Sequence, residues 1–130
     1  MWEEVRIVIV DNDQRRRDEL RLVFEFIGEP VRCFSYAEWQ QAEVQTSAYR
    51  ENLSLLVLAQ DQQPLVEHLQ SAEQWQSGLP IMIVDYDSND LNELEIPPSV
   101  ISKLQMPPNY ARLVDDLHRA QVYRQQQNTM

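Results

Sequence analysis

Short apolar runs alternate along this chain with segments whose apolar residues recur at helical spacing, and this alternation restricts the fold most. Val5–Val10 is almost entirely β-branched and apolar at nearly every position, which is typical of a parallel strand covered on both faces. Leu53–Ala59 is a second run of this kind. In the segment after the first run, four apolar residues fall on one helical face: Leu20, Val23, Phe24 and Ile27. The pattern predicts an α/β protein in which strands and helices take turns.

Five strands are predicted, and helical segments separate them. The strands are Val5–Val10, Val31–Phe34, Leu53–Ala59, Pro80–Val84 and Val100–Leu104. Parallel strands joined by right-handed crossovers form a doubly wound sheet, and the two most apolar strands, the first and the third, belong at its centre. We therefore predict a flavodoxin-like (βα)5 domain with the sheet order 2-1-3-4-5. The crevice of such a sheet lies at the carboxyl ends of its first and third strands.

Polar residues, glycine and serine mark the predicted helix ends. Asp13 is predicted to cap the first helix and Gly28 to end it. Ser35 and Glu38 form a capping box that opens a second helix, predicted to run to about Ala48.

Two later segments are also predicted from their apolar residues. The mostly polar segment Asp85–Glu95 predicts at best a short helix. A long last helix is predicted from Asn109, with five residues on its inner face: Tyr110, Leu113, Val114, Leu117 and Ala120.

The net charge of −10 is unevenly distributed along the chain. No Lys or Arg lies between Arg50 and Lys103, where nine acidic residues fall. Nucleic-acid binding depends on cationic side chains that release counterions, so we expect no direct contact of this domain with DNA or RNA. Arg15–Arg17 and Arg21 form one locally basic stretch, which is interpreted as a solvated helix face.

Other functional classes find little support in the composition. Cys33 is the single cysteine, so an intrachain disulfide is excluded and a small strand residue is the interpretation. No apolar run approaches the roughly 20 residues that span a bilayer, and the N-terminus lacks the pattern of a secretory signal. We therefore expect a cytoplasmic protein with no membrane partner.

Two motifs at strand ends resemble those of a response-regulator receiver domain. The first strand is followed by Asp11-Asn12-Asp13, and the fifth by Met106-Pro107. In a receiver the first motif delivers two adjacent acids to Mg²⁺, and the second carries a lysine before the proline that grips the phosphorylated aspartate. Here Asn12 replaces the second acid and Met106 replaces the lysine. Pro107 is retained, so a cis peptide bond before it is predicted.

The remaining receiver positions also differ in chemistry. Gln60 closes the third strand four residues before Pro64, where a receiver carries its phosphoacceptor aspartate. Asp85 follows the fourth strand, where a receiver carries Ser or Thr. Without a cation, the carboxylates of Asp11 and Asp85 are expected to repel each other, so that Asp85→Asn or Asp85→Thr would not lower stability. We predict no catalytic residue, no metal site and a degenerate phosphorylation pocket formed by Asp11, Asn12, Gln60, Asp85 and Met106.

Three further stretches resemble the N-terminal receiver-like domain of the FleQ/FlrA flagellar master regulators, which are sigma-54-dependent enhancer-binding proteins. They are Met1-Trp2, 106–110 (Met-Pro-Pro-Asn-Tyr) and 117–124 (Leu-His-Arg-Ala-Gln-Val-Tyr-Arg). The resemblance implies a regulatory domain at 1–124 and the start of a linker at 125–130. It also implies that an ATPase module and a DNA-binding domain follow. Cyclic-di-GMP and ATP are then expected only in the ATPase module, and no cofactor is expected here.

Three hypotheses for the function follow. The first is a non-enzymatic domain that accepts no phosphoryl group, forms a homodimer and controls the ATPase module of its own chain. Val122 and Tyr123 leave the inner face of the last helix and are its predicted interface, on a helix end that is predicted to project. The second is a phosphoacceptor receiver that uses Asp61 with Asp11 and Asp13. The third is a small-ligand-binding flavodoxin-like domain.

Overall fold

Residues 5–41, 53–75, 78–86 and 97–128 are described by the computed structural model. Five parallel strands form one sheet in the order β2-β1-β3-β4-β5. They are β1 (Ile7–Val10), β2 (Val31–Phe34), β3 (Leu55–Ala59), β4 (Ile81–Val84) and β5 (Val100–Leu104). The predicted doubly wound topology is therefore confirmed.

The three inner strands are buried along their whole length. Every residue of β1, β3 and β4 is buried, which confirms the prediction made from the continuous apolar runs of β1 and β3. The register places Val10 beside Leu58, Ala59 beside Val84, and Val84 beside Leu104. Because these strands end at nearly the same level, the residues that follow them meet at one edge of the sheet.

Four helices are described: α1 (Gln14–Ile27), α2 (Tyr36–Trp39), α3 (Leu65–Trp75) and α4 (Tyr110–Asn128). Asp13 caps α1, Gly28 ends it at φ 102°, and Ser35 and Glu38 form the capping box of α2, all as predicted. α2 ends at Trp39, earlier than predicted; residues 42–48 of that prediction lie outside the described residues, as does 87–95 of the predicted polar helix.

The helices cover the sheet in two layers. On one face, α1 and α4 bury five side chains against the strands: Leu20, Phe24, Leu113, Leu117 and Ala120. On the other face, α2 and α3 contribute five: Tyr36, Trp39, Leu65, Leu69 and Ala72. Each face of the sheet thus carries its own hydrophobic core.

The inner face of α4 differs from the prediction. Tyr110 and Val114 are exposed, whereas Asp116 is 1% exposed and lies on the inner face. The Asp116 carboxylate accepts a 2.7 Å hydrogen bond from the Ser102 hydroxyl of β5 and a 3.3 Å bond from Arg119. An acid that finds such partners can occupy an inner position beside Leu113 and Leu117, while Tyr110 and Val114 remain outside.

The C-terminal part of α4 stays against the domain. The helix continues through the predicted boundary at 124/125 to Asn128. Tyr123 packs against the core between α1 and α4, and the Gln127 side chain lies against Gly78, within 3.3 Å of the place a Cβ would take. The prediction of a projecting helix end is therefore wrong. Tyr123 supplies the sheet-facing contact that the prediction assumed to be absent.

Candidate functional site

The Arg16 guanidinium lies at the carboxyl ends of β1, β3 and β4. Its Nε and Nη2 donate to the two carboxylate oxygens of Asp11, at 2.7 and 2.8 Å. Nη2 also donates to the main-chain carbonyl of Gln60 at 2.7 Å, and Nη1 donates to Asp85 Oδ2 at 3.2 Å. Bidentate arginine–carboxylate pairs are among the strongest hydrogen-bonded contacts between side chains. A single side chain thus joins three strand ends.

The start of α1 directs Arg16 into this crevice. Asp13 ends the loop after β1, and its side chain accepts the Arg16 main-chain N–H at 3.1 Å. The Asp13 N–H donates to Asp11 Oδ1 at 2.8 Å. Helical side chains lean toward the helix N-terminus, so a residue in the first turn reaches back over the strand ends. The N-cap and the position of Arg16 therefore belong to one local arrangement.

Asp85 is a partner in this network rather than a source of repulsion. Its Oδ2 accepts from Arg16, and its Oδ1 accepts the main-chain N–H of Met106 at 2.9 Å. Asp85 has a positive φ of 62°, a conformation that aspartate and asparagine adopt more readily than branched residues. The prediction that the two acids repel each other without a cation is wrong because Arg16 is the cation. Asp85→Thr is now expected to lower stability.

The network fixes the charge of the arginine. The hydrogen bond from Arg16 to Asp11 raises the pKa of Arg16 above its usual range, although partial burial opposes this. The guanidinium is therefore charged whenever the domain is folded. It holds both Asp11 oxygens and Asp85 Oδ2, which are the groups that a magnesium ion would need. The crevice does not fit a metal ion.

Two other predicted pocket residues serve structural roles. Asn12 Oδ1 accepts the Tyr36 main-chain N–H at 2.9 Å and so joins the loop after β1 to the start of α2. Met106 packs against the core between α1 and α4, and the peptide bond between Met106 and Pro107 is cis, as predicted. The Gln60 side chain is exposed, and only its main-chain carbonyl takes part in the network.

The proposed fallback phosphoacceptor, Asp61, is bound by a histidine. Asp61 Oδ1 lies 2.7 Å from His68 Nε2 and accepts the Gln63 main-chain N–H at 3.0 Å. Both side chains of the Asp61–His68 pair are largely buried. The His68 ring stacks on Tyr36 with the ring centroids 4.0 Å apart. Asp61 therefore joins the loop after β3 to α3, and Asp13, its predicted helper, is occupied as the cap of α1.

Two buried tyrosines lie beneath this pair. The hydroxyls of Tyr36 and Tyr86 both donate to the Ala59 carbonyl, at 2.7 and 3.3 Å. Burial raises the pKa of Tyr86 to about 12 and raises that of Tyr36 further. Both phenols are neutral at physiological pH, so each keeps the hydroxyl proton that it donates to the Ala59 carbonyl.

The structure brings together Asp11, Asp85, the Gln60 carbonyl and the Met106 N–H, and it directs Asn12 and Asp61 elsewhere. Arg16 was assigned to a solvated face and is the residue that sequence reasoning missed. One signal could have found it. Two acids at adjacent strand ends, without lysine or metal, need a positive charge, and the first turn of α1 offers three arginines.

An open depression of about 780 Å³ lies beside the crevice. It is lined mainly by polar side chains from the loops after β1 and β3, from α1 and from the end of α2: Asn12, Asp13, Arg16, Gln40, Gln60, Asp61, Gln62 and Gln63. Among the described residues, no group of three His, Cys, Asp or Glu side chains could hold a metal ion. In the same part of the chain, no helix is long and apolar enough to cross a membrane.

The fold is that of a response-regulator receiver domain. The chain is similar to a CheY-like receiver domain protein from Methanospirillum hungatei JF-1, with a TM-score of 0.70, 19% sequence identity, and coverage of 95% of this chain and 98% of that chain. It is also similar to a receiver domain protein from Clostridium thermocellum, with a TM-score of 0.66, 12% identity, and coverage of 95% and 98%. A third similar structure is the signal receiver domain of a modulated diguanylate cyclase from Desulfovibrio desulfuricans G20. Its TM-score is 0.66 and its sequence identity is 13%, with coverage of 94% of this chain and 97% of that chain.

The family is more specific than the fold. Residues 6–122 match the family described as flagellar regulatory protein FleQ. The chain therefore belongs to the FleQ family, as the sequence motifs predicted, and forms a receiver-like domain of a FleQ-type regulator.

Proposed function

We propose that this chain is a non-phosphorylatable regulatory domain of a sigma-54-dependent activator of flagellar genes. It acts through dimerisation and through control of an ATPase module that follows it. The observation that carries the first part is the Arg16 guanidinium, which binds Asp11, Asp85 and the Gln60 carbonyl at once. A built-in cation of fixed charge replaces the exchangeable ion that phosphoryl transfer requires.

The chemistry of the crevice supports the same conclusion. An acyl phosphate forms on a carboxylate, and Gln60 offers a carboxamide. Met106 has no ammonium to hold a phosphoryl group, and Asp85 adds a negative charge next to its path. Asp61, the nearest acid in sequence, has its carboxylate engaged by His68 at 2.7 Å. Adding a phosphodonor therefore does not change the arrangement of the strand ends.

The first test is the response to a phosphoryl mimic. Beryllofluoride with Mg²⁺, followed by two-dimensional NMR of the labelled domain, is expected to leave the signals of 60–63 unchanged. The variant Gln60→Asp restores a carboxylate and should remain silent, because Arg16 still holds the neighbouring acids. The double variant Gln60→Asp with Arg16→Ala is expected to respond to Mg²⁺. Shifts centred on Asp61 in the wild-type domain would overturn the proposal.

The second test concerns output. In the complete regulator, Arg16→Ala should change the ATP hydrolysis rate of the following module, because it loosens three strand ends at once. Arg15→Ala is a matched control, since Arg15 is an exposed neighbour whose one ion pair with a described residue is a 3.8 Å contact with Glu19 on the same helix. Equal rates for the wild type and Arg16→Ala would contradict a regulatory role for this network.

Binding of a small polar ligand is the second candidate, and the depression of about 780 Å³ favours it. Its lining is rich in carboxamides, which suits a neutral, hydrogen-bonding ligand rather than an ion. A thermal-shift screen with neutral sugars and nucleosides tests this candidate. A hit that survives in the wild type and disappears in Gln40→Leu with Gln63→Leu would support it, and the absence of any hit would remove it.

A further inference from the structure

Among the described residues, five large apolar side chains on α1 and α4 are exposed; Val122 lies further along α4, and the other four form what we call the α1–α4 face. They are Leu22, Phe26, Tyr110 and Val114, and they are between 41% and 79% exposed. Leu22 and Phe26 lie one helical turn apart on α1, and Tyr110 and Val114 lie one turn apart on α4, so each pair shares one side of its helix.

The α1–α4 face is contiguous. The rings of Phe26 and Tyr110 meet edge to face, with centroids 5.5 Å apart. Both helices pack on the same core cluster through their opposite sides. Single exposed apolar residues are common and need no explanation, but a patch that joins two helices marks an interaction surface.

The composition of α4 strengthens this interpretation. Asp116 occupies an inner position and is held by Ser102, while Tyr110 and Val114 stay outside. Hydrophobicity alone would bury Tyr110 and Val114 and expose Asp116. Positions at which a chain departs from the locally favoured arrangement are often those where function requires it.

The distribution of charge identifies the partner. α1 and α4 carry seven of the chain's 11 Lys and Arg residues and five of its 21 Asp and Glu residues, a net charge of +2. The chain as a whole carries −10, so the remainder carries −12. Four of the charges on α1 are paired within the helix, Arg15 with Glu19 and Arg21 with Asp18. Two copies of this acidic chain therefore repel each other least across the α1–α4 face.

We propose that the α1–α4 face is the surface through which two copies of this chain pair symmetrically. The inference rests on the proposed dimerisation and names its surface. α1 is about 21 Å long at 1.5 Å per residue, and neighbouring helices lie about 10 Å apart, so each copy offers a footprint of about 400 Å². Two copies then bury about 800 Å² in total, which is less than the roughly 1,200–2,000 Å² of a standard interface and corresponds to a weak, transient pair. The expected dimer is weak, with a dissociation constant on the order of micromolar.

The test is sedimentation equilibrium of the 130-residue chain from about micromolar to millimolar concentration. The double variant Phe26→Gln with Tyr110→Gln removes the two rings at the centre of the face. The matched control is Val66→Gln with Val122→Gln, because these valines are 37% and 40% exposed and lie outside the face. Circular dichroism checks that each variant is folded, and Leu22→Gln, at an exposed site, gives a second variant of the face.

The wild type and the valine control are expected to dimerise equally. The Phe26–Tyr110 variant should raise the dissociation constant by about tenfold or more, as for central residues of an interface. If this variant and Leu22→Gln dimerise like the wild type while the Val66–Val122 variant dimerises more weakly, the α1–α4 face is not the interface. The proposed dimerisation itself would still hold. If the wild type remains monomeric throughout, the proposed dimerisation fails as well.

Discussion

At the scale of single residues, Arg16 decides what the crevice can do. Asp11 is fully buried, and a buried carboxylate without a partner is costly. Arg16 supplies two hydrogen bonds and a positive charge to Asp11 and shares that charge with Asp85. Since the arginine is part of the chain, its positive charge stays beside these acids under all conditions in which the domain is folded, unlike a metal ion that can dissociate. The strand ends are therefore held without a signal.

Replacing Arg16 should destabilise the domain strongly. Arg16→Ala leaves Asp11 and Asp85 charged and close together, and removing one partner of a buried pair costs about 3–5 kcal/mol. The free energy of unfolding from urea denaturation measures the loss. Arg15→Ala, at an exposed neighbouring position, should cost less than about 0.5 kcal/mol. Equal effects of the two variants would contradict the network. Part of the loss should return in Arg16→Ala combined with Asp85→Asn, which removes one of the two charges.

The buried tyrosines predict a loss of stability at alkaline pH. Burial raises the pKa of Tyr86 to about 12 and that of Tyr36 further, whereas a free tyrosine titrates at about 10. A group whose pKa is higher in the folded state contributes stability below its unfolded pKa and loses it as the pH rises. The melting temperature should therefore fall as the pH rises from about 10 to 12. Tyr86→Phe should reduce this fall, and an unchanged pH profile in that variant would contradict the assignment.

At the scale of elements, α4 is fastened to the edge strand β5 by polar side chains. Ser102 donates to Asp116, and Arg112 and Arg119 donate to the carbonyls of Lys103 and Ile101. β5 is connected to the crevice, because the Met106 N–H just beyond it donates to Asp85. The position of α4 is therefore tied to the strand ends through β5 and the chain that follows it.

The buried Asp116 makes this attachment testable. Asp116→Ala removes the acceptor of Ser102 and of Arg119, and leaving such partners unsatisfied costs about 1–3 kcal/mol. The adjacent Asp115→Ala, at an exposed position, should stay within about 0.5 kcal/mol of the wild type. Urea denaturation distinguishes the two. A loss for Asp115→Ala as large as that for Asp116→Ala would contradict the assignment to the buried contact, because alanine has the higher helix propensity and cannot itself cause a loss.

The elements also show which features were predictable from sequence. Strand order followed from apolar runs, and the ends of α1 followed from Asp13 and Gly28, because these signals act locally. The inner face of α4 was wrong, since periodicity ranks Tyr110 and Val114 above Asp116 and cannot detect the Ser102 hydroxyl across the interface. Arg16 was missed for a related reason. Its partners follow three different strands and become neighbours only in the folded sheet.

At the scale of the whole molecule, the charge is divided between two kinds of surface. α1 and α4 together are slightly positive, and the rest of the chain carries −12. A net charge of this size opposes the compact state through self-repulsion and keeps the protein soluble. Long-range repulsion between exposed acids is screened by salt, whereas the short contacts of the Arg16 network are screened much less.

This division predicts how the domain responds to salt and to magnesium. Raising NaCl from about 10 to 150 mM shortens the Debye length from about 30 to 8 Å, so the melting temperature should rise by a few degrees. At matched ionic strength, MgCl₂ should raise the melting temperature no more than NaCl does, because Arg16 holds the carboxylates that would bind the magnesium ion. If the domain had a specific magnesium site, a magnesium concentration ten times its dissociation constant would raise the free energy of unfolding by about 1.4 kcal/mol. A thermal melt resolves a change of this size. A larger rise of the wild-type melting temperature in MgCl₂ than in NaCl would contradict the proposal that Arg16 takes the place of a metal ion. In Arg16→Ala, where the two carboxylates are freed, that larger rise is the expected result.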